Sequence, residues 1–162
     1  MKIFEVIDIS GDIGIKAYGG SLKDAFMNAA IGMFSLITDL EMVKEGKVID
    51  VSVESDSIEG LLVSWLNELV FHFDAYGFIG KRIVITEFPP SLTLPPRGGE
   101  LGGGEAEQLA SQRANKINAS IYGEDFDSER HESRLLIKAA TYHKLRVAKK
   151  NREWEIDVIF DI

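Results

Sequence analysis

The chain has 162 residues, 45% of them apolar, with 18 Lys plus Arg against 26 Asp plus Glu and a net charge of −8. That size suits one domain, burying roughly 68–70% of the surface its unfolded chain exposes. The acidic balance argues against a protein that grips nucleic acid by its phosphates, since that affinity comes mostly from neutralising them. Without cysteine there is no disulfide, thiolate metal site or cysteine nucleophile. The N-terminus has no signal-peptide apolar core and no run of 18 apolar residues occurs, so a soluble, cytoplasmic protein is expected.

In chain order, Lys2 to Asp8 alternates as a strand, and Ile13, Ile15 and Ala17 mark a second. Gly19-Gly20 breaks it, and Ser21 is placed to cap a helix from Leu22 to Ile37. The apolar residues Ala25, Phe26, Ala29, Ala30, Met33, Phe34 and Ile37 follow helical spacing. A strand follows over Val48 to Glu54. Asp56 or Ser57 can then cap a second helix, Ile58 to Ala75, whose wide apolar stripe includes Leu61, Leu62, Trp65, Leu66 and Leu69. Gly77 is placed as its C′ residue, and Arg82 to Phe88 returns as a strand.

Residues 89 to 104 hold all four prolines and five of the fifteen glycines. Such a segment cannot build a ladder, so Pro89 to Ser111 reads as a mobile insertion, for which a polyproline partner ligand is the alternative to a simple loop expansion. A strand near Lys116 to Tyr122, a turn over Gly123 to Asp127 and one long strand from Arg134 to Val147 come next. A turn at Lys149-Lys150-Asn151 leads to the last strand. There Trp154, Ile156, Val158, Phe160 and Ile162 alternate with Glu153, Glu155, Asp157 and Asp161. The order predicts a single α+β domain with a mostly antiparallel sheet and two main helices packed on one face.

Few residues carry chemistry. Phosphate-loop, dinucleotide, zinc-protease and serine-elbow motifs are all absent. His72 follows Glu68 by four residues on the second helix, a metal-ligand spacing that is more commonly structural on an apolar helix. Asp12 sits among small residues between the first two strands, where a turn role is the simpler account. The terminal strand sets the Asp161 side chain beside the Ile162 carboxylate, and two such charges repel unless a cation joins them. Hard cations favour oxygen donors of this kind. Arg134 to Arg152 holds seven Lys or Arg and no acid, a solvated hairpin face or a docking patch. Lys138, surrounded by Ile137, Ala139 and Ala140, either snorkels or has an anionic partner.

Leu136-Ile137-Lys138-Ala139-Ala140-Thr141-Tyr142-His143-Lys144-Leu145, followed by Val158-Ile159-Phe160-Asp161-Ile162, resembles the C-terminal signature of the archease family. The N-terminal block Asp8 to Ile15, with Tyr18-Gly19 and Ala25 to Ala30, is similar to that family too. So are Ser64 to Leu69, and Gly123-Glu124 through Glu129 to Glu132. The resemblance implies a small α+β protein cofactor, not itself a catalyst, for the GTP-dependent tRNA-splicing RNA ligase. It would promote guanylylation of the ligase and its multiple turnover, meeting RNA only indirectly. The resemblance assigns Asp12, Asp161 and the Ile162 main chain and carboxylate to a divalent-metal site (Ca, Mg or Mn). It ties Lys138 to activation and points to Tyr142 and His143 as accompanying residues. A chaperone-like module for nucleic-acid modifying enzymes is the alternative. One departure stands out: the family block usually reads His-Thr-Ala-Asp, and here it is Ile9-Ser10-Gly11-Asp12.

Overall fold

The computed structural model describes residues 2–90 and 115–162. The expected insertion Pro89 to Ser111 therefore lies outside the described residues from residue 91 onward. Among the described residues, eight strands and two long helices follow one another as β1 (Phe4–Ile9), β2 (Asp12–Gly19), α1 (Leu22–Ile37), β3 (Lys47–Ser55), α2 (Ile58–Tyr76), β4 (Phe78–Glu87), β5 (Asn115–Asp125), β6 (Ala139–Ala140), β7 (Arg146–Lys150) and β8 (Glu153–Asp161). All pairings are antiparallel. The α+β expectation holds, with the strands divided between two sheets. One runs β1-β2-β8, with β6 and β7 both on the far edge of β8; the other runs β3-β5-β4.

Both helices begin and end where their local chemistry says they should. The Ser21 hydroxyl accepts from the Asp24 N–H and the Ser57 hydroxyl from the Gly60 N–H, satisfying otherwise orphaned donors. Gly77 closes α2 in the left-handed region with φ 71°. Helix α1 packs on β2 and β8 of the first sheet and on β4 of the second, so it ties the two sheets together. Helix α2 lies on β3, β5 and β4 and reaches the edge strand β6. The core between them includes the fully buried Trp65, Phe26, Phe34, Phe78 and Ile15. The Trp65 Nε1–H donates to the Phe26 carbonyl at 3.0 Å, so the largest core side chain leaves no buried donor unpaired.

The long strand expected over Arg134 to Val147 does not form, and the reason is physical. The Arg134 and Leu135 N–H groups donate to the Ile37 and Leu36 carbonyls, both at 3.0 Å, so this stretch caps the end of α1 instead of joining a ladder. Arg134 Nη1 also donates to the Ser35 carbonyl, giving α1 the cation that its own last turn lacks. Further on, Ala140 lies opposite Phe160 but Arg146 lies opposite Asp157. Six steps along one strand match three along the other, so three residues are extruded between β6 and β7. Two other boundaries move slightly. Strand β5 continues through Gly123 to Asp125, and the last hairpin turns at Asn151-Arg152, both with positive φ.

The β2–β8 pairing is close enough to demand glycine at one point. A Cβ on Gly14 would collide with the Val158 carbonyl and sit 2.9 Å from Ile159 Cδ1, the side chain that folds across it. Gly14→Ala should therefore cost about 2 kcal/mol or more, since backbone cannot yield as a side chain tip can. Thermal denaturation is expected to show a Tm lower by roughly 4–8 °C; an unchanged Tm would mean the sheet relaxes freely there.

Candidate functional site

Register brings the two ends of the chain together. Strand β2 pairs with β8 from Gly19 opposite Trp154 to Ile13 opposite Phe160. One step beyond, the same register sets Asp12 opposite Asp161. On the outer flanks Ile9 pairs with Asp12 and Ala139 with Asp161. A single row thus runs Ile9, Asp12, Asp161, Ala139 across four strands. Directly opposed residues share a face, with Cβ atoms about 4.5–5.5 Å apart, and like charges so placed repel.

Asp12 owes its position to a two-residue turn. Ser10 and Gly11 have φ 54° and 83°, the double left-handed pattern of a type I′ hairpin. Asp161 is held at the main chain, where the Lys138 N–H donates to its carbonyl at 2.8 Å. The Lys138 side chain is exposed, as are Tyr142 and Ile162.

The extruded segment between β6 and β7 completes the site. Thr141 donates from both N–H and Oγ1 to the Ile159 carbonyl, at 3.1 and 2.8 Å, and its Oγ1 accepts from the His143 N–H. The Leu145 N–H closes a turn onto the Tyr142 carbonyl, with Lys144 at φ 54° in the third position. A left-handed residue there is what a type II turn requires. The turn throws His143 and Lys144 back over β8 onto Asp12. Lys144 Nζ lies 3.0 Å from Asp12 Oδ2, and His143 Nε2 lies 3.4 Å from the same oxygen. The Lys144 hydrogen bond is the main reason the Asp12 carboxyl titrates below its ordinary value, with burial opposing and the His143 charge assisting.

Two participants were not singled out from sequence. One is Lys144, hidden in a basic run. The other is Asn67 on α2, whose Oδ1 accepts from the Ala140 N–H at 2.7 Å and whose Nδ2 donates to the Ala140 carbonyl at 3.3 Å. Asn67 thereby pairs the free edge of β6 as another strand would. The spacing of an Asn on a helix gives no hint of that role.

His72 contacts Glu68 at 3.3 Å and stacks edge-on with Phe71. Among the described residues no three His, Cys, Asp or Glu side chains are grouped to hold a metal. A cation at Asp12 and Asp161 must therefore draw its remaining ligands from main-chain oxygens and water. By type, carboxylate and main-chain oxygens suit a hard divalent ion. One member of the basic run, Arg146, is neutralised on the sheet, where it bonds Glu155 at 2.8 Å and Asp157 at 3.0 Å.

A second polar cluster anchors the turn after β5. Glu124 accepts two N–H groups of Arg130, the Lys44 N–H and a bond from His131 Nε2. The Asp127 N–H donates to His131 Nδ1 at 2.8 Å, which leaves Nε2 to carry the proton toward Glu124. The Arg130 bond, above all, holds the Glu124 carboxyl at about 2.

The fold is that of a small α+β protein, with Asp12 and Asp161 carried by the register to one end of its first sheet. Residues 4–162 match the Archease protein family (MTH1598/TM1083), and the chain belongs to that family. It is 31% identical over 163 residues to the protein archease of Pyrococcus abyssi and 29% identical over 162 residues to that of Sulfurisphaera tokodaii, each alignment covering all of both chains. The solution structure of Methanobacterium thermoautotrophicum protein 1598 has a TM-score of 0.73 at 26% identity, covering both chains fully. A Thermotoga maritima structure described as an archease and possible chaperone shares the fold, with a TM-score of 0.57 at 14% identity, covering 100% of this chain and 98% of that one.

Glu124 yields a pH prediction. A carboxyl lowered from 4.5 to about 2 in the folded state stabilises the fold at pH above its unfolded value. That contribution fades as pH falls from roughly 4.5 toward 2. Glu124→Gln should lower Tm by several degrees at pH 7, and the gap from wild type should close as pH drops through that window. A gap independent of pH would show that the ionised carboxylate is not what stabilises this corner.

Proposed function

We propose that this protein is an accessory factor that activates the GTP-dependent tRNA-splicing RNA ligase, promoting its guanylylation and multiple turnover. Family membership across residues 4–162 supports the reading. The observation that carries the site is the β2–β8 register, which runs to Ile13 opposite Phe160 and, carried one step on, sets Asp12 opposite Asp161. Asp12, Asp161 and the main-chain oxygens of Ile162 would hold Ca, Mg or Mn, which when bound supplies positive charge for phosphate oxygens. The exposed Lys138 adds a mobile point charge at the same end of the sheet, free to meet an anionic group of the ligase or its nucleotide. Tyr142 and His143 flank the site on the extruded turn. RNA is met only through the ligase, in keeping with the net charge of −8. The factor supplies no nucleophile of its own.

The alternative is a chaperone-like module for nucleic-acid modifying enzymes; the Thermotoga maritima structure is described as a possible chaperone. It predicts broad client binding that ignores the aspartate pair. The deciding assay follows GMP transfer to the organism's own ligase with and without this protein. Stimulation is expected, and Asp161→Ala should lose roughly tenfold or more of it, since even outer-shell partners of a metal commonly cost that much. Normal stimulation by Asp161→Ala would remove the site from the mechanism. Stimulation of unrelated enzymes at similar levels would favour the chaperone-like module.

A further inference from the structure

We propose that Lys144 is a built-in counter-ion that occupies Asp12 until a divalent cation displaces it, and so sets the affinity of the site. The inference rests on the cation-site reading above and concerns what the extruded turn does there.

Three observations converge on Lys144. Its ammonium lies 3.0 Å from Asp12 Oδ2, the oxygen that His143 also approaches at 3.4 Å. A lysine in the left-handed region is unfavourable, so the backbone is held there by its surroundings and not by preference. The holding contacts are those of Thr141 on Ile159 and of Leu145 on Tyr142, and the result aims positions 143 and 144 at Asp12. Bulges of this kind recur beside functional sites because they re-aim side chains.

The counter-ion is built to leave. The Lys144 side chain is 63% exposed, so its ammonium returns to water at little cost. Residues 141–145 stand outside the β6 and β7 pairings, so Lys144 can swing away without breaking a rung of the β8 ladder. Its contact is also one-sided. It reaches Asp12, whereas no ion pair of the Asp161 side chain occurs among the described residues. A monovalent ion offers Asp12 little that an ammonium does not. A divalent ion satisfies both carboxylates at once, and that difference pays for the exchange. Lys144 thus keeps the opposed aspartates tolerable without a metal and discriminates in favour of double charge.

The test is calorimetric titration of calcium chloride into the full-length protein, read as binding and not as ligase activity. Lys144→Met should bind roughly two- to fivefold more tightly than wild type, the range an exposed ion pair supports. Lys144→Arg, which keeps the charge, should stay within about twofold of wild type by the same reasoning. Unchanged or weaker binding by Lys144→Met overturns the counter-ion role while leaving the site intact. Equal tightening by Lys144→Arg overturns it as well, because charge would then not be the cause. Calcium binding that survives in Asp12→Asn, or no binding by any variant, overturns the site reading itself and this inference with it.

Discussion

The pairing of β2 with β8 runs unbroken for seven residues, and its register places the start of the second strand beside the end of the last. Period-two geometry then leaves little freedom. Ile13, Ile15 and Ala17 turn to the core with Phe160, Val158 and Ile156, so Asp12 and Asp161 must share the other face. A slip of one residue would turn the slipped strand's aspartate toward the core and its apolar row outward, which the core cannot permit. Hydrophobic burial between strands far apart in sequence thus sets two like charges, 149 positions apart, in one row. Gly14 lets the backbones approach, and Ile159 covers the gap that glycine leaves.

The site is finished at an edge where the ladder fails on purpose. Strand β6 has two residues, and its outer edge is paired by the Asn67 amide instead of by another strand. Short edge strands covered by other groups are a common defence against unwanted pairing. Here the same device ends the ladder next to Asp161 and releases the turn that carries His143 and Lys144. At the other side of Asp12 stands Ile9, where the resemblance led one to look for histidine. The imidazole that does reach Asp12 comes from His143, on a different strand connection.

Much of the framework was readable in advance. Both helices, their serine caps and the Gly77 stop follow from spacing and cap chemistry that act within a few residues. The alternation of Trp154 to Phe160 gave β8 and its two faces. The segment Arg134 to Val147 was misjudged because its apolar pattern suits a strand, while long-range bonds decide its path. The carbonyls of α1 claim Arg134 and Leu135, and the Thr141 hydroxyl competes with the ladder. Division into two sheets likewise depends on how α1 fits between them, which no local pattern encodes. Asp12, Asp161, Lys138 and His143 were nameable from the resemblance. The pairing of Lys144 with Asp12 was not, since 132 positions separate them.

These features describe a sheet end whose register carries Asp12 and Asp161 opposite each other, with the Lys144 ammonium resting on Asp12. Manganese titrated into the 15N-labelled protein tests that account most directly, because its unpaired electrons broaden nearby amide signals. Broadening centred on Gly11 to Ile13, Lys138 to Ala139 and Asp161 to Ile162, leaving β3, β4 and β5 sharp, is the predicted result. Broadening centred instead on Glu124, or on Glu153 and Glu155, with the signals around Asp12 unaffected, would contradict it.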